Sequence, residues 1–214
     1  HNSLPLLEAY WAIPSAELCL VPLSPLLSSD LLSKLLQEIN AQCLLVSHQF
    51  LSLLKLIPKS SLPENIIVLD SDEIVHKSYR LLQSQAEPIS PIHTDSQLAF
   101  NIMFTSGTTG EPKGIVHSHF VRSMYAALIG SAIRMTPESR ILQTGSIVFN
   151  GAFVTLLPSF YMGCSYFLHS HFDADAAIRC IEQEEITHIM LVPSQIAELL
   201  NSKLFDSRRL QSLE

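Results

Sequence analysis

Apolar positions along this chain follow two alternating patterns: short unbroken apolar runs, and longer stretches with apolar residues at helical spacing. Leu4 to Ala16 has helical spacing, with Pro14 as its break. Leu18 to Val21 is a short apolar run closed by Pro22 and Pro25, which predicts a strand ending in a turn. Ser28, Ser29 and Asp30 offer N-cap side chains for a helix through Ile39. A strand over 42–47, a helix over 48–57 and a strand over 65–69 follow. Ser71, Asp72 and Glu73 are placed to cap a short helix to about Ser84, and Pro88 and Pro91 mark a surface connector over about 85–97.

The second half repeats the alternation. Leu98 to Phe104 predicts a buried strand and Ile115 to His117 a second. A helix is expected over 120–134, a strand over 140–143 and a helix over 151–162. Gly163 then turns the chain into a strand over 164–168. A helix over 173–185, a strand over 189–192 stopped by Pro193 and a helix over 194–201 complete the pattern. Strands that are continuous apolar runs, alternating with helices, predict an α/β fold whose largely parallel sheets are layered with helices.

One stretch breaks this pattern. Between the strands at 98–104 and 115–117 lies Thr105-Ser106-Gly107-Thr108-Thr109-Gly110-Glu111-Pro112-Lys113-Gly114, which holds three of the chain's seven glycines and four hydroxyl side chains. Glycine lets backbone N–H groups converge on an anion, hydroxyls add donors, and Lys113 adds a mobile positive charge. A nucleotide phosphate is the expected ligand. A Walker-type loop would need Ser or Thr directly after the lysine, where Gly114 stands, and no G-x-G-x-x-G occurs.

Composition narrows the partners. The 214 residues are 47% hydrophobic and 15% charged, enough for a core and too apolar for disorder. A net charge of −7 argues against nucleic acid or an anionic membrane as the main partner, and no apolar stretch reaches the length of a membrane span. Cys19, Cys43, Cys164 and Cys180 form no CxxC pair and predict reduced, buried or half-buried thiols of a cytoplasmic protein. His117 with His119, and His169 with His171, share a face of an extended chain but lack further ligands, so no metal is expected there. Glu182, Glu184 and Glu185 predict a solvated helix end, and Trp11 and Phe120 are expected in the core.

The segment from Phe104 to Gly114 resembles the phosphate-binding signature of the AMP-forming adenylate ligases: acyl- and aryl-CoA synthetases, luciferases and peptide-synthetase adenylation domains. Ala16 to Pro25 is similar to an upstream segment of that family, with Glu17 where glycine is usual. Ile186 to Ser194 is similar to a later strand and turn. The resemblance spans about residues 9–213. It implies that Thr105, Ser106, Gly107, Thr108, Thr109, Gly110 and Lys113 hold the β- and γ-phosphates of ATP with Mg²⁺, Lys113 neutralising charge as pyrophosphate leaves. It further implies a small carboxylic acid as substrate, and CoA or a carrier-protein pantetheine as acceptor. His119 stands where relatives usually carry a histidine.

Phe149 and Asn150 are the candidate substrate pocket. At this place CoA ligases commonly have Phe-His, peptide synthetases Phe-Asp, and aryl-acid-activating relatives often Asn at the second position. Asn150 lacks the carboxylate that would offset an α-ammonium, which disfavours a free amino acid, and a helix cap at Asn150 is the alternative role. The resemblance places the whole chain in an incomplete N-terminal AMP-binding domain, without the C-terminal domain, the adenine strand or the ribose motif. It is therefore expected to be inactive alone and to self-associate through an uncovered edge. An acyl- or aryl-CoA ligase is the preferred parent. The alternatives are a luciferase-like or peptide-synthetase adenylation domain, and a non-catalytic binding module.

Overall fold

The computed structural model describes residues 2–72, 75–88, 93–105 and 112–214. They divide into two compact units, residues 1–22 with 94–214, and residues 23–93. The first element is helix α1 (Leu4–Ser15), whose N-cap Ser3 accepts a hydrogen bond from the Leu6 N–H and whose last turn contains Pro14. It ends in a Schellman motif: the Leu18 N–H donates to the Ile13 carbonyl at 3.2 Å and the Glu17 N–H to that of Pro14 at 3.0 Å. This motif needs a left-handed residue, and Glu17 supplies it at φ 59°. A non-glycine residue pays steric cost there, so Glu17→Gly should stabilise the protein by about 0.5–1 kcal/mol. A urea midpoint that falls instead of rising would refute this.

The unit at 23–93 is a parallel three-stranded sheet with helices. Helix α2 (Ser29–Glu38) is capped by Ser28 and followed by strand β1 (Cys43–Val46). A 3₁₀ turn at His48–Phe50 leads into the short helix α3 (Leu51–Leu54), then strand β2 (Asn65–Val68), strand β3 (Lys77–Ser78) and helix α4 (Tyr79–Gln85). The order is β1-β2-β3, with Val46 opposite Val68 and Val68 opposite Ser78. Leu32, Leu36, Val46, Leu54, Ile57 and Val68 form its core. The cap of α4 is Ser78, which accepts from the Leu81 N–H, and not the 71–73 cluster. Residues 73–74, and residues 89–92 of the expected connector, lie outside the described part.

The other unit continues with strand β4 (Ala99–Thr105) and strand β5 (Lys113–Ser118), an antiparallel hairpin. Leu20 joins β4 by one parallel bridge, donating to the Phe100 carbonyl and accepting from the Ile102 N–H. The strand expected at 18–21 goes no further, because Pro22 has no N–H to continue it. Helix α5 (His119–Ala132) follows, then strand β6 (Arg140–Gln143), helix α6 (Phe153–Met162) and strand β7 (Ser165–Leu168). Helix α7 (Ala174–Gln183), strand β8 (His188–Ile189) and helix α8 (Pro193–Asn201) complete the elements used below.

Strands β7-β6-β8 form a parallel sheet in that order, with Leu142 opposite both Phe167 and Ile189. The strand expected over 189–192 ends at Ile189, because its partner β6 runs out at Gln143. Gly163 caps α6 at φ 78°, the left-handed turn that its position demanded. The fold is mixed α/β, with parallel sheets and one antiparallel hairpin.

Tyr10, Phe100, Met103, Ile147, Phe153 and Leu156 belong to the core that the hairpin, α1 and α6 share. Phe120, expected in that core, is 50% exposed on α5, because Ser118 rather than Phe120 opens the helix and turns this position outward. Cys19 and Cys43 are exposed rather than buried, each at the edge of a short extended run; all four cysteines are free thiols. Among the described residues no helix is long and apolar enough to cross a membrane.

Candidate functional site

The β4–β5 hairpin carries both candidate features. At its mouth Thr105, the last residue of β4, pairs with Lys113, the first of β5, and the Thr105 hydroxyl donates to the Lys113 carbonyl at 3.5 Å. Both side chains are exposed. Ser106, Gly107, Thr108, Thr109 and Gly110 lie outside the described residues, so the structure fixes only the two posts between which they run. Gly114 has a packing reason of its own: a Cβ there would meet Ile102 Cγ2 at 3.0 Å and Phe104 Cε1 at 3.3 Å. Its absence lets the Phe104 ring lie across the strand pair at the mouth.

Toward the other end of the hairpin, four residues of β5 or roughly 13 Å from Lys113, Asn101 and His117 face each other across the two strands. Directly opposed residues share a sheet face. Arg122, in the first turn of α5, folds back onto that pair. Its Nε donates to Asn101 Oδ1 at 2.8 Å and its Nη2 contacts His117 Nδ1 at 3.4 Å. Nη2 also donates to Asn150 Oδ1 at 3.0 Å. The guanidinium lies 4.1 Å from the centre of the Phe153 ring and 5.4 Å from that of Tyr125. Arg122 is 2% exposed, and burial lowers its pKa from 12.5 to about 10, which leaves it charged at neutral pH.

Asn150 does not act as a helix cap. It opens a 3₁₀ turn at Asn150–Ala152, leading into α6, and the N-cap position of that turn is Phe149. Phe149 is half exposed and Asn150 exposed, so the pair lies at the surface with Arg122 behind it. The start of the chain sets the segment before them. Asn2 Nδ2 donates to the carbonyls of Gly145 and His169, while the Ile147 N–H donates to Asn2 Oδ1 at 2.9 Å. The Tyr10 hydroxyl donates to the Ile147 carbonyl at 2.7 Å.

His117 titrates below the ordinary histidine range, because burial and then the Arg122 charge disfavour the imidazolium, while a hydrogen bond to the Ile115 backbone acts in the opposite direction. As pH falls below about 6.5 the unfolded chain takes up this proton before the folded one, so the group subtracts stability in acid and contributes nothing above that range. An NMR titration of the His117 ring should give a midpoint below 6.5 that rises in Arg122→Met. A midpoint unmoved by that substitution would show that the charge does not act on it. His119 packs edge-on to Phe100 at 5.2 Å, its Nε2 buried without a hydrogen-bond partner among the described residues. Among the described residues no group of three His, Cys, Asp or Glu side chains is placed to hold a metal. Of the acidic run, Glu184 pairs with Arg140 and Glu182 with Arg209.

Arg122 and Asn101 went unremarked in the sequence pattern, yet each left a trace: Asn101 is the one polar residue within the apolar run 98–104, and Arg122 interrupts an otherwise mixed-apolar helix start.

A family model described as AMP-binding enzyme matches residues 1–214. Indoleacetate–CoA ligase of Aromatoleum aromaticum is 28% identical over 217 residues, covering all of this chain and 42% of that protein. A linear gramicidin synthase of Brevibacillus parabrevis is 30% identical over 194 residues, covering 89% of this chain and 2% of the synthase polypeptide. The crystal structure of ATP-bound MatB from Rhodopseudomonas palustris superposes with a TM-score of 0.87 at 20% identity, over 99% of this chain and 42% of that one. The chain therefore spans less than half the length of these similar proteins.

Proposed function

Since the chain belongs to the AMP-binding enzyme family, we propose that it is the phosphate-loop part of a ligase that activates a carboxylic acid with ATP and passes the acyl group to a thiol, that of CoA. The observation that carries this reading is the hairpin mouth, where an exposed hydroxyl, Thr105, opens the T-S-G-T-T-G segment and the exposed Lys113 is paired with it across the strands. In the first half-reaction a carboxylate oxygen attacks the α-phosphorus of ATP, an acyl-adenylate forms, and pyrophosphate leaves. In the second the acceptor sulfur attacks the acyl carbon and AMP leaves.

The protein's task in the first step is positioning and charge neutralisation. Thr105 to Gly110 donate to the β- and γ-phosphates, and the Lys113 ammonium meets the charge that grows on the departing pyrophosphate. Mg²⁺ accompanies the nucleotide. Phe149 and Asn150 line the acid's place. Similarity to a gramicidin synthase supports a second reading, an adenylation domain that loads a carrier protein. Asn150, which has no carboxylate for an ammonium, favours the first.

ATP–pyrophosphate exchange by the full-length protein, run with panels of carboxylic and amino acids, tests this reading. Exchange with carboxylic acids, followed by thioester formation on adding CoA, is expected. Exchange with amino acids alone would sink the CoA-ligase reading, and exchange with none would sink carboxylate activation altogether.

A further inference from the structure

Arg122 is a buried cation with no carboxylate paired to it among the described residues. Its neighbours are two amide oxygens, one imidazole nitrogen and two aromatic rings. None of these cancels the charge, and its Nη1 has no hydrogen-bond partner among the described residues. A buried charge normally has an opposite charge, and its absence here leaves a positive field directed wherever the site opens. The opening lies on the Nη2 side, where Asn150 is exposed and His117 half-buried.

The chemistry of the bond to Asn150 settles how that residue faces outward. A guanidinium only donates, so the atom it touches must be the amide oxygen, whichever way an unconstrained amide would turn. With one lone pair of Oδ1 engaged by Arg122, the NH₂ group gives Asn150 two donors to offer a ligand against one remaining lone pair. The Phe149–Asn150 surface thus presents donors backed by a positive charge.

We propose that Arg122 is a specificity-determining positioning residue: it fixes Asn150 as a donor and holds a positive charge behind it. The acid taken then carries an oxygen acceptor, most strongly a second carboxylate, on the part that reaches Asn150, and an ammonium is refused there. This rests on the carboxylate-activating reading above and names the substrate class for it. An ammonium at this place would face two donors and a like charge, with one lone pair of Asn150 Oδ1 to receive its protons. A second carboxylate would gain a charge-assisted hydrogen bond, which corresponds to a preference of roughly 10- to 100-fold.

The test is ATP–pyrophosphate exchange by the full-length protein with acids of matched skeleton: hexanoate, adipate and 6-aminohexanoate, and benzoate with terephthalate. In the wild type kcat/KM for the diacid should exceed that for the plain acid by roughly 10- to 100-fold, with 6-aminohexanoate inert. In Arg122→Met/Asn101→Leu, which removes the buried charge and its buried amide together, the diacid-to-monoacid ratio should collapse toward one. Arg122→Lys, which keeps the charge, should retain part of the preference. A merely structural role would lower both rates alike and leave the ratio standing, and that result overturns the proposal. So does a wild-type preference for the plain acid or for 6-aminohexanoate. Exchange with no acid at all removes the carboxylate-activating reading and this inference with it, whereas exchange without preference removes the inference alone.

Discussion

If Lys113 has the role proposed for it, pyrophosphate exchange by the full-length protein should fall roughly 10²- to 10³-fold when it is replaced by alanine, the range seen when one donor is removed from a charge that develops in a transition state. Lys113 begins β5 beside Thr105, so its backbone is held in the hairpin ladder while its side chain is free to reach across the mouth. The charge it meets grows as the bond to pyrophosphate breaks, so the loss should appear in kcat more than in the affinity for ATP. Lys113→Arg should recover part of the rate, since it keeps the charge but replaces a compact ammonium with a planar fork. Because Lys113 is exposed, the unfolding midpoint should stay within the small range typical of surface changes, about 0.5 kcal/mol. A loss of less than threefold would remove Lys113 from the chemistry.

Arg122→Ala should be the most destabilising single change near the site, at about 2–4 kcal/mol. Two effects oppose. Removing the guanidinium relieves the burial of a charge, the same burial that lowers its pKa to about 10. Against that, alanine leaves a cavity under Phe153 and Tyr125, and it strips Asn101 Oδ1 of its donor when Asn101 is fully buried and its Nδ2 already has no partner among the described residues. The cavity and the orphaned amide win.

The double change Arg122→Met/Asn101→Leu reverses the balance. It fills the space and removes every buried polar atom of the pair, so it should match or exceed wild-type stability. Thermal midpoints of the two proteins should therefore lie on opposite sides of, or straddle closely, the wild-type value, with Arg122→Ala lower by on the order of 10 °C. Equal midpoints for the single and double variants would show that Asn101 does not depend on Arg122.

Most elements of the fold were legible in the residues. Ser28 caps its helix through its own side chain, Gly163 adopts the left-handed turn, and β6 runs over Arg140–Gln143 as expected. These are local effects, set within a turn or two of chain. The misses have two causes. Whether 18–21 or 189–192 becomes a ladder depends on where a distant partner strand begins and ends, and the outward turn of Phe120 depends on which residue opens α5.

The sequence by itself determined the α/β class and the family, because hydrophobic periodicity and motif spacing are written in consecutive residues. Only the tertiary structure decided what stands behind Phe149 and Asn150. Asn101, His117, Arg122 and Asn150 lie on two strands, a helix and a 3₁₀ turn. Their meeting, and with it the charge of the site, follows from hairpin register and from the return of α5 onto the sheet, distances that no local pattern along the chain encodes.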